Sequence, residues 1–156
     1  MNQLLPDHRE LLAIWTSKQA GACPPLRCAF AVEDLISYLP HLAFLQLDFL
    51  LSALRVETVG ARFVDLIGRD WTGAPLANVL HPTERAGTER VFSAALEGAP
   101  QIMRAASVRP EAAPFVLEWL ILPCADPTGA VTRLIVSILP RADLSVVPRS
   151  RDGAKP

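Results

Sequence analysis

Three groups of residues in this chain have types and spacings that invite a chemical reading. The first is the stretch VGARFVDLIGRDWTG, residues 59–73, which carries Gly60, Gly68 and Gly73. Glycines crowded together can bare backbone N–H groups to a phosphate, but that use needs G-x-G-x-x-G or a loop ending in Gly-Lys-Ser/Thr. Neither spacing is present, so each glycine should serve a separate backbone event. The second group is Cys23 and Cys28, which flank PPLR at a spacing just inside the range of zinc pairs. A second pair is missing, since His8, His41 and His81 stand alone, and two prolines make a chelating turn awkward. No metal site is expected. The third group is Asp65, Asp70 and His81, the available acid and base groups of the middle of the chain. They form no nucleophile–base–orienter set, and all lie near predicted helix ends, where capping accounts for them. No catalytic residue is expected.

Composition bounds the remaining classes. The chain has 156 residues, 51% hydrophobic and 20% charged, which describes one globular domain with a sizeable core. A net charge of -1 argues against a nucleic-acid binder, which would carry a basic face. No apolar run approaches the ~18 residues of a membrane span. The start, MNQLLPDHRE, lacks the basic and apolar regions of a secretion signal. Three scattered cysteines suit reduced thiols, so a cytoplasmic location is expected.

The elements that would position these residues follow from periodicity. Leu4, Leu5, Leu11, Leu12 and Trp15 make one stripe of a helix over Leu4–Gln19, stopped by Gly21 and the Cys23-Pro24-Pro25 turn. A short helix over Val32–Leu39 ends at Pro40. Leu42–Asp48 and the alternating Ala53–Val59 predict a hairpin. Its connection, DFLLSAL, is apolar where a polar Gly or Asn turn is usual. Phe49, Leu50 and Leu51 are then either covered by the first helix or form a patch for association. Helical spacing returns through Phe63, Leu66 and Ile67, with Gly68 placed as a left-handed cap. Leu76–Leu80 adds a turn of helix, and Pro82 can open a longer one running to Gly98. Three strands follow, Gln101–Arg109, Phe115–Cys124 and Ala130–Leu139, joined by RPEAAP and ADPTG. The prediction is an α+β domain with a five-stranded antiparallel sheet in the order 2-1-5-4-3. A helical block crosses one face and leaves a cavity between helices and sheet. The fifth strand is placed centrally because Leu134, Val136 and Ile138 alternate with Ile135, leaving both faces apolar. Residues 1–22 are expected to form a flanking helix, 23–140 the domain proper and 141–156 a disordered tail.

Four segments carry a family resemblance. LLAIWTSKQAGACPP, VEDLISYLPHLAFLQLD, LRVETVGARFVDLIGRDWTGAPLANVL and LHPTERAGTERV resemble, in order, the opening helix, first strand, glycine signature and long-helix entry of PAS domains. More narrowly, the chain resembles the proteobacterial single-domain PAS group, formerly a domain of unknown function, over roughly Leu11 to Leu139. In that light Gly60 lets the chain leave the sheet edge, Gly68 caps a helix, and Gly73 closes a turn begun by Asp70 with Arg69 and Thr72 beside it.

The resemblance implies a sensory or docking module with a pocket between sheet and helices. Candidates to line it are Phe63, Ile67, Trp71, Leu76, Val91, Phe92, Met103 and Trp119. Flavin photochemistry of the PAS photosensor branch needs a cysteine after the first hairpin, and none occurs between Cys28 and Cys124. Haem-binding PAS domains use a histidine in the long helix, whereas His81 precedes Pro82 and should cap or face solvent. A small organic ligand, or none, is the expected occupant. With no output segment in the sequence, signalling should pass through a protein partner or through self-association. A homodimer built on Leu11, Leu12, Trp15 and the Phe49-Leu50-Leu51 tip is expected. The alternatives are a cone-shaped isomerase or hydratase using Asp65, Asp70 or His81, and a ligand-free interaction scaffold.

Overall fold

The computed structural model describes residues 3–107 and 113–144. Among the described residues five α-helices and five strands are ordered as α1 (Pro6–Lys18), α2 (Val32–Leu35), β1 (Leu42–Asp48), β2 (Ala53–Val59), α3 (Ala61–Ile67), α4 (Leu76–Val79), α5 (Arg85–Leu96), β3 (Gln101–Ala106), β4 (Val116–Ala125) and β5 (Val131–Arg141). The strands form one antiparallel sheet in the order β2-β1-β5-β4-β3. β5 lies at its centre, as its two apolar faces require.

The sheet is covered on both sides. Along β4, Leu117, Trp119 and Ile121 face the block of α3, α4 and α5, where they pack with Phe63, Trp71, Leu76 and Phe92. The alternate residues Leu120, Leu122 and Cys124 face the other way and pack with Leu11 and Trp15 of α1, together with Phe30, Leu35, Leu42 and Ile135. The two-residue period of the strands thus sorts one sequence into two cores.

Here the expectation for α1 needs correction. Leu11 and Trp15 are buried in the chain's own core, Leu12 packs partly buried beside them, and Trp15 Nε1 donates to Pro123 O at 2.7 Å. The stripe is therefore covered by the same chain's sheet. His8 belongs to that stripe at 1% exposure, a member that hydrophobic periodicity could not reveal.

Other boundaries shift. The second helix stops at Leu35, followed by a separate 3₁₀ turn over Leu39–His41. Pro82 lies in a turn before α5, which begins at Arg85, because Glu84 N–H bonds His81 O and closes that turn first. Part of the RPEAAP connection and the stretch 145–156 lie outside the described residues. Among the described residues no helix is long and apolar enough to cross a membrane.

Candidate functional site

The glycine-rich stretch is scaffolding for a cavity. Gly60 has an ordinary φ of -77°, yet a Cβ there would sit 2.2 Å from Leu39 O and 2.4 Å from Pro40 O. Only glycine lets α3 begin hard against that turn. Gly68 ends α3 in the left-handed conformation at φ +93°, its N–H bonding Val64 O. Asp70 Oδ1 then accepts from Thr72 N–H (2.9 Å) and Thr72 Oγ1 (2.6 Å), and these bonds hold the Asp70 carboxyl below its usual range. Gly73, at φ +80°, turns the chain so that its N–H reaches Val56 O, while Val56 N–H reaches Ala74 O. Residues 73–74 thereby pair with the outer edge of β2. Arg69 pairs with neither Asp70 nor solvent alone; its Nη2 donates to Val79 O at the end of α4. Together these bonds place Trp71 inward, at 5% exposure.

Between α3–α5 and the β3/β4 face lies a cavity of about 610 Å³. That is within the range of small-molecule sites. Ile67, Trp71, Met103 and Trp119, four of the eight residues expected to line a pocket, do so. Phe63, Leu76, Val91 and Phe92 are not in its lining: Phe63, Leu76 and Phe92 are buried core, and Val91 packs against that core. Phe63 acts one layer down, its ring meeting Trp71 edge-on at 5.5 Å and Trp119 at 6.0 Å. The two indoles stack on one another at 6.2 Å with 29° between their planes.

The wall is mixed in chemistry. Leu66, Ile67, Met103 and Leu117 contribute apolar surface, and Arg69, Arg85, Thr88 and Ser107 contribute polar groups. Trp71 Nε1, Trp119 Nε1 and Arg85 Nε are buried, and none has a hydrogen-bond partner among the described residues. All three belong to side chains that line this one cavity. Buried indole N–H groups normally find an acceptor, and each left unmet costs about 1–3 kcal/mol. Arg85 was not singled out by sequence reasoning; its only signal was a basic residue at the entry to the long helix.

The acid–base candidates do not converge. Asp65 and Asp70 are exposed and outside the cavity lining, and Asp65 lies 3.9 Å from Arg62. His81 is at the rim, exposed, with Nδ1 2.7 Å from Thr83 Oγ1. Glu84 is the one carboxylate among the described lining residues. No cysteine lines the cavity: Cys124 is buried on the opposite sheet face, where burial pushes its thiol up to about 12, and Cys23 and Cys28 are exposed. The residues present therefore do not fit a flavin photosite that needs a thiol beside the ring. Among the described residues no cluster of three or more His, Cys, Asp or Glu is placed to hold a metal.

A second polar constellation lies under α1, and sequence reasoning missed it entirely. Glu118, at 0% exposure, accepts from Leu5 N–H at the start of α1 (2.9 Å), from His8 Nδ1 (2.9 Å), from Arg104 Nε (3.2 Å) and from Arg141 Nη1 (2.6 Å). His8 Nε2 then accepts from Ser137 Oγ at 3.0 Å. Arg141 also donates to Gln3 O, and its guanidinium pairs with Asp143. This network latches the first helix to the sheet. Its only trace in the sequence is the polar Glu118 inside an otherwise apolar strand.

Several solved structures with a similar fold are light-oxygen-voltage domains. One, studied with a flavin analogue, superposes with a TM-score of 0.56 at 14% identity, covering 72% of this chain and 84% of the other. The light-state domain of the blue-light photoreceptor Aureochrome1 gives 0.54 at 11% identity, covering 73% and 91%. The Rhodobacter sphaeroides LOV protein gives 0.53 at 13%, covering 90% and 70%. At such identities the likeness is one of fold. No curated protein matches the sequence. The family model described as PAS domain matches residues 5–139, which takes in α1, the glycine-rich turn, β1 to β4 and most of β5, and the chain thus belongs to the PAS domain family.

Proposed function

We propose that this chain is a sensory or signalling PAS module that takes a small organic ligand into the cavity over Trp71 and Trp119. In this reading it signals by association and has no catalytic output of its own. The observation that carries it is that three unpartnered buried donors belong to side chains lining one cavity of ligand size. A packing defect in a core would have no reason to collect N–H groups, since polar burial without a partner is costly. Exposed and scattered carboxylates speak against the isomerase or hydratase alternative. For output, the reading uses self-association through the hairpin tip, where Phe49, Leu50 and Leu51 are 64%, 96% and 63% exposed. A second copy of the chain is the partner proposed. The three free thiols support a reducing, cytoplasmic setting.

The test is thermal. Protein purified from its own host should melt several degrees higher than the same protein after denaturing extraction and refolding, because a ligand bound only to the folded state stabilises it. Equal melting points would count against a resident ligand.

A further inference from the structure

The ligand's chemical class can be read from the cavity, and this inference rests on the sensory reading just given. The geometry points to an organic monocarboxylate with an apolar body as the ligand, its carboxylate received by Arg85 and the indole N–H groups of Trp71 and Trp119. Two observations bear on the charge. Of the unpartnered donors, one belongs to a guanidinium, which is permanently cationic, and the other two are donor-only groups. A neutral hydroxyl would satisfy them poorly, whereas a carboxylate offers two oxygens and about four lone pairs. The N-cap of α5 is itself Glu84, so the charge that the cavity wall offers an anion is that of the Arg85 guanidinium and not of the helix end.

The body of the ligand is set by the rest of the lining. Leu66, Ile67, Met103 and Leu117 offer no hydrogen bonds, and the stacked indoles present flat apolar faces. A small inorganic anion would leave this surface uncovered. Glu84 at the rim opposes a second negative charge on the ligand, which favours a monoanion.

The experiment uses the full chain labelled with nitrogen-15, whose three tryptophans give three indole N–H signals. Octanoate and phenylacetate are titrated beside their uncharged counterparts, octanamide and phenylacetamide, and beside inorganic phosphate. The expected result is that one or both carboxylates move the Trp71 and Trp119 signals downfield. The Trp15 signal, already bonded to Pro123 O on the other face, should stay in place. Carboxylates should bind about ten-fold or more tightly than the amides, and Arg85→Met should remove that preference. Trp119→Phe, which keeps a ring and loses the donor, should weaken carboxylate binding several-fold and serves if Arg85→Met misfolds. Amides that bind as well as the acids, with both indoles moving, would overturn the carboxylate class and leave the sensory cavity standing. Phosphate binding as tightly as the acids would overturn the apolar body. If none of the probes moves either indole at millimolar concentration, the class fails, and if the host-purified protein also shows no ligand stabilisation, the cavity reading fails with it.

Discussion

At the scale of single residues, two glycines do different work and should fail differently. Gly68 holds φ +93°, so Gly68→Val should cost about 1–2 kcal/mol or more through backbone strain alone. Gly60 has room in φ but none in space, so Gly60→Ala should also destabilise, whereas Gly87→Ala, where an added Cβ meets nothing within 4 Å beyond its own helix backbone and chain neighbours, should not. Thermal melts of the three variants separate the causes, and an unchanged Gly60→Ala would contradict the contact with Leu39 and Pro40. Glu118 is the residue with the widest reach. Burial pushes its carboxyl up, but the Leu5 N–H, His8 and Arg141 outweigh this and hold it below the usual range; burial lowers His8. Both folded-state values are thus depressed, so their contribution is complete above the ordinary histidine value of 6.5 and is lost as pH falls. The domain should lose stability first below about pH 6.5 through His8, then in the carboxylate range through Glu118. His8→Gln should flatten the first part of that profile, as read by denaturant midpoints between pH 7 and 5. Glu118→Ala should lower the melting point far more than Asp143→Asn, because the first leaves Arg141 and His8 without their shared partner.

At the scale of elements, much of the fold was legible because its signals are local. Strand alternation in Ala53–Val59 and the two-faced apolar run of β5 were enough to place the hairpin and the central strand. Gly68 at a helix end was readable for the same reason. The role of α1 was not, because an apolar stripe does not say which surface covers it. The stripe's polar member His8 finds its partner 110 residues away, a pairing no local pattern can show. The site was half legible: ring-bearing and apolar candidates are as suited to a core as to a cavity wall, and only the fold sorts Ile67 from Phe63. The packing of α1 has a direct chemical consequence. Cys23 and Cys28 are exposed while Cys124 lies beneath α1 with its thiol pushed up to about 12. A thiol reagent should therefore label two cysteines quickly and the third only when α1 detaches or the chain unfolds. Rapid labelling of all three in native protein would contradict that packing.

At the scale of the whole molecule, the sheet separates two polar groupings of opposite character. Under α1 the donors and acceptors meet one another; over the other face the donors of Trp71, Trp119 and Arg85 meet none among the described residues. In the proposed reading the first grouping is structural and the second receives a ligand. Under the proposed self-association through the exposed Phe49–Leu51 tip, Leu50→Glu should shift the full chain toward monomer in light scattering. The central claim is that the 610 Å³ space is a binding site and not loose packing. Native mass spectrometry of the chain isolated from its own host, compared with Ala105→Phe, tests it most directly because Ala105 lines that space. The account predicts a small-molecule adduct on the wild-type chain that is absent from the filled variant. An adduct on neither, together with a higher melting point for Ala105→Phe, would show that the space is a packing defect.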